Sequence, residues 1–191
     1  NLPVSKSHTE VNAAVERVHP ALTPTSVSEV LIYDPNVESV DVLLAGLAPT
    51  VEPLAARNGH EAVEYLRAAL SDPRALSIHL LAHGGPGIVR FGGDELAAED
   101  FSVPAHVIRA RSHSLDIYFW SCRTGADMAG GNFVQKIAEL SMAKVHASTG
   151  LVGNQDKDGS WELDVMSAPK THMPFSTSAR EEFSGVLAIS N

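Results

Sequence analysis

Apolar and polar positions follow two rhythms along this chain. Short, nearly unbroken apolar runs occur at Glu29-Val-Leu-Ile-Tyr-Asp34, Leu76-Ser-Ile-His-Leu-Leu-Ala82, Leu115-Asp-Ile-Tyr-Phe-Trp-Ser121 and Lys144-Val-His-Ala-Ser148. Such runs predict strands buried on both faces. Between them, apolar residues at helical spacing predict helices over Val37 to Leu47, Glu61 to Leu70 and Phe133 to Leu140. Asn58 stands where a cap is wanted for the second helix, and Pro73 closes it. Thr50 to Leu54 predicts a further strand, and Phe91-Gly-Gly-Asp94 a small hairpin. Trp161-Glu-Leu-Asp-Val165 alternates as an exposed strand does, and a last helix is expected near Arg180 to Phe183. Strands and helices in this order imply a three-layer α/β/α sandwich with a mostly parallel central sheet.

The pattern also divides the chain. Residues 1–27 form an appendage, with a short helix expected over Thr9 to Val18 and broken by Pro20 and Pro24. Residues 28–166 carry the α/β rhythm, and 167–191 form a Pro-, Ser- and Thr-rich tail able to pack on that domain.

Composition narrows the functional classes. A chain of 191 residues can bury a core without metals or disulfides. Its 23 acidic and 14 basic side chains form no basic stripe, which argues against a nucleic-acid partner. No apolar run approaches the roughly 20 residues needed to cross a bilayer, and NLPVSKSHTE lacks the features of a signal peptide. No phosphate-binding fingerprint is present, because Gly84-Gly85-Pro86-Gly87 lacks the lysine and the spacing. His79, His106, His113, His146 and His172 form neither H-x-x-x-H nor H-E-x-x-H, and Asp156-x-Asp158-Gly159 lacks the glutamate of a calcium loop. No metal and no cofactor are therefore expected. The sequence leaves the oligomeric state open. Its single cysteine excludes an internal disulfide and is either core filler or a reactive thiol.

Functional groups of a parallel sheet gather outside the carboxyl ends of its strands. Two polar residues stand at such ends, His83 after Ala82 and Cys122 after Ser121. The stretch between them is long enough for a crossover that makes their strands neighbours. A thiol of pKa about 8.5 is mostly protonated at neutral pH, and an adjacent imidazole raises its thiolate content or removes its proton. The Gly84 and Cys122 amides, both at strand-to-loop turns, are candidate oxyanion donors. Gly84 and Gly85 leave room for a substrate backbone.

The blocks ending Leu-Ala-His83-Gly84 and Trp-Ser121-Cys122 resemble the paired signature of the caspase-like cysteine peptidases. That resemblance implies His83 as acid or base and Cys122 as nucleophile. It further implies a substrate-pocket role for Asp34, favouring a basic residue before the cut, with Trp161 beside the pocket. The competing role for Asp34 is a turn-forming Asp-Pro-Asn.

A second resemblance covers Ser28 to Val165 and is to a bacterial domain of unknown function found near the N-terminus of giant surface adhesins with cadherin-like or calcium-binding repeats. It rests on Ile32-Tyr33-Asp34, His83-Gly84-Gly85-Pro86-Gly87, Ser121-Cys122, Val145-His-Ala-Ser148 and Gly159-Ser-Trp161-Glu-Leu-Asp164. Ala82 replaces the usual Ser, Ser121 the usual Gly, and the segment between Leu96 and Leu115 is short. The expected activity is cysteine endopeptidase, acting on a peptide, a protein or its own polypeptide. The alternative is a silent binding or presentation module of an adhesin, with a cell-surface or extracellular location.

Overall fold

The computed structural model describes residues 28–165 and 172–189. Its central sheet has five parallel strands: β1 (Glu29–Tyr33), β2 (Val51–Ala55), β3 (Ser77–Leu81), β7 (Asp116–Trp120) and β8 (Lys144–His146). They stand in the order β2-β1-β3-β7-β8. β3 is buried at every position, as expected for a central strand covered on both faces. β2 lies at the edge, where Pro53 is tolerated because one side of the strand has no ladder to feed.

Alternating side chains feed two cores. On one face Ile78, Leu80, Ile117 and Phe119 join residues of α2 (Gly59–Leu70), α3 (Ala105–Ala110) and α4 (Asp127–Ser141). On the other, Leu31, Leu81, Tyr118 and Trp120 join Val40 and Leu43 of α1 (Val40–Ala45). Phe175 and Phe183, flanking α5 (Thr177–Glu182), complete that second layer. The three-layer α/β/α architecture is thus present. Asn58 caps α2 by accepting the Glu61 amide at 2.9 Å, as its position predicts.

A second, antiparallel sheet orders β4 (His83–Gly85), β5 (Ile88–Phe91) and β6 (Asp94–Glu95). The expected hairpin is its β5–β6 half, while the pairing of His83–Gly85 with β5 has no signal in the apolar pattern. The expected strand at 161–165 is corrected. Only single bridges form there, Ser160 with Val152 and Val165 with Ala147, because Leu163 and Trp161 turn inward as loop residues onto the second core. The appendage at 1–27, with its expected helix, lies outside the described residues.

Candidate active site

The ladder between β3 and β7 sets the geometry. Ser77 pairs with Asp116, His79 with Tyr118 and Leu81 with Trp120. His83 and Cys122 each follow two residues after the last pair of that ladder, Leu81 with Trp120. Cys122 lies in the second core with Leu81 and Trp120. His83 is half-buried and lines a cavity of about 290 Å³ with Glu38, Lys157, Val186 and Ala188.

The chain turns sharply at Cys122. Arg123 has φ 56°, a left-handed conformation uncommon for a residue with a Cβ. Its amide donates to Gly150 O at 2.9 Å. Thr124 then ties this turn to the other loop. Its hydroxyl donates to Ile88 O at 3.1 Å and its carbonyl accepts the Gly87 amide at 3.1 Å. Two loops that each carry one member of the pair are therefore bound to one another.

The Gly84 and Cys122 amides converge. Each donates to the carbonyl oxygen of Leu187 at 2.9 Å. Two amides aimed at one oxygen from separate loops are the arrangement an oxyanion requires. The oxygen they hold belongs to the segment Gly185–Ile189, which crosses the site in extended form. That segment donates from Leu187 N to Val152 O and from Ile189 N to Gly84 O, at 2.9 and 3.1 Å, and Gly185 O accepts the Asn154 amide at 2.8 Å. Bridges pair Val186 antiparallel with Gly153, and Ala188 parallel with Gly84.

Beneath this segment the Cys122 sulfur is buried. It accepts the Val152 amide at 3.1 Å and lies 3.5 Å from Val152 O. Burial raises the thiol pKa, partly opposed by the Val152 and Leu187 amides and by the charge of Arg123. Among the described residues no hydrogen bond joins the His83 ring to this sulfur.

The remaining candidates are spread around the rim. Asp34 is buried, and its two oxygens accept the Asn36 amide at 2.8 Å and the Gly92 amide at 2.9 Å. Gly85 faces Ile189, with 3.7 Å between a Cβ built on it and Ile189 Cδ1. Trp161 lines a separate cavity of about 510 Å³ with Asn154 and Arg180 and packs on Trp120, Phe175 and Phe183. Val152, Thr124 and Leu187 were not legible as site residues. The one trace of them in sequence is Val186-Leu-Ala-Ile189, an apolar patch in a polar tail.

Glu29, His79 and His172 place ligand-type atoms within 4.8 Å of one another. His79 Nδ1 accepts the Trp120 indole N–H at 3.0 Å, so the neutral ring carries its proton on Nε2. Neither ring nitrogen then offers a free lone pair, and the triplet does not suit a metal.

The chain matches DUF4347, a domain of unknown function, over residues 30–187. It belongs to that family. The matched region takes in both loops of the site and reaches Leu187. No curated protein and no solved structure matches it.

Proposed function

We propose that this DUF4347 chain is a caspase-like cysteine endopeptidase with Cys122 as nucleophile and His83 as acid and base. The observation that supports it most is the convergence of the Gly84 and Cys122 amides on one peptide carbonyl. In this reading Cys122 Sγ attacks the carbonyl carbon while its proton passes to His83. The two amides hold the developing oxyanion, and loss of one such donor costs on the order of 3 kcal/mol of barrier. His83 then protonates the leaving amine, and water hydrolyses the thioester. A preference for a basic residue before the cut would rest on Asp34, whose carboxylate would first have to release Gly92 and Asn36.

One observation favours a silent binding module instead: the sulfur is buried and engaged by Val152. Labelling and turnover separate the two. The peptidase reading expects Cys122 to react with iodoacetamide faster than free cysteine, and to lose that advantage in His83→Ala. It also expects Cys122-dependent hydrolysis within a fluorogenic panel carrying Leu, Arg, Lys, Asp or Asn before the scissile bond. Labelling no faster than free cysteine, with no hydrolysis across the panel, would leave the binding module.

A further inference from the structure

The segment over the site is bound as a peptide substrate would be. Its backbone adds to Val152–Asn154 on one side and to His83–Gly85 on the other, the β-addition mode in which main-chain bonds give affinity and alternate side chains give specificity. Gly153, with φ 136°, keeps this approach open, since a Cβ there would run into Gly185 O. One carbonyl of the segment, that of Leu187, occupies the paired amides. The side chain on the same residue is fully buried, in the apolar cluster that holds Leu31, Val37, Leu81, Cys122 and Val152. The next residue, Ala188, borders the cavity lined by His83. Its amide is the group that would leave.

We infer that Gly185–Ile189 is the domain's own substrate segment, that Leu187–Ala188 is the bond it cuts, and that the site takes a leucine-like residue before the cut. This rests on the peptidase reading and goes past it by naming the bond and the side chain. The step balances with water as the sole co-reactant. Cys122 Sγ bonds to the Leu187 carbonyl carbon as its proton moves to His83. The C–N bond to Ala188 breaks as His83 returns the proton to the amine. Water then releases Leu187 as a carboxylic acid and restores the thiol. Uncut, the segment also covers the sulfur, so cleavage opens the site to peptides in trans.

The test follows the full 191-residue chain by intact mass during incubation at neutral pH, beside hydrolysis of acetyl-Gly-Val-Leu-aminocoumarin and of matched peptides ending in Arg, Lys, Asp or Asn. The expected result is conversion to a species ending at Leu187, absent in Cys122→Ala and His83→Ala. Leu187→Lys slows conversion at least about tenfold, while Leu187→Met, close in volume, keeps it within a few-fold. The Leu peptide is the preferred one in trans. A chain that stays at full mass while hydrolysing some panel peptide through Cys122 overturns the cut and leaves the peptidase reading standing. Full mass, no hydrolysis of any peptide and labelling no faster than free cysteine remove both.

Discussion

Gly84 is held between the turn after Cys122 and the Gly185–Ile189 segment. A Cβ built on it lies 2.7 Å from Cys122 O, Ser121 Cβ and Thr124 Oγ1. Two of those atoms belong to backbone or to a Cβ, which cannot swing aside as a long side chain would. Gly84→Ala therefore forces the His83 loop off the Cys122 turn. Overpacking of this kind costs about 1–3 kcal/mol, read as a lower denaturant midpoint. With the Gly84 amide in its proposed role as one of two oxyanion donors, the peptidase reading expects peptide hydrolysis to fall by more than that stability loss implies. A melting curve and a rate on the same preparation separate the two effects. Gly85→Ala, whose added carbon meets Ile189 Cδ1 at an ordinary 3.7 Å, is the control that leaves stability nearly unchanged.

At the scale of elements, β1 reaches the site through Asp34, which continues the ladder by donating its amide to Leu81 O at 2.9 Å. Its carboxylate joins the end of β1 to the turn between β5 and β6 through the Gly92 amide. Asp34→Ala leaves that amide and the Asn36 amide without their acceptor, costing about 1–3 kcal/mol. If this bracing is its whole role, the order of preference across the peptide panel is unchanged in the variant. The β1, β3, β7 and β8 runs were legible in sequence because burial on both faces writes itself as unbroken apolar stretches. So was the adjacency of β3 and β7, the strands that lead into His83 and Cys122. The strand expected at 161–165 failed because alternation reports which side chains are buried, and Leu163 is buried from a loop. Leu187 was illegible for a different reason: its position depends on contacts with Gly84, Cys122 and Val152, all far away in sequence, and no local period records them.

Across the whole molecule, the second core carries an acid-sensitive row beneath the candidate site. His79 stacks on Tyr118, which stacks on His146, and it takes the Trp120 N–H. Burial, together with the neighbouring His172 and His146, lowers the His79 pKa from 6.5 to about 3. Below about 6.5 the unfolded chain binds a proton at this ring that the folded chain refuses. Stability from this group is thus full above 6.5 and falls with acid until pH reaches about 3, at about 1.4 kcal/mol per pH unit on the steep part. Glu29 and His172, paired at 2.7 Å, and His146 on Asp116 at 2.8 Å lie close by, so wild type alone cannot assign the slope to His79. His79→Phe can. It keeps a stacking ring, loses the proton site and leaves Trp120 Nε1 without its acceptor. The variant should be less stable than wild type at pH 7 by about 1–3 kcal/mol, yet the gap should close as pH falls from 6 to 4. Urea unfolding at each pH measures it, and parallel stability curves for the two proteins would show that His79 does not carry the acid sensitivity.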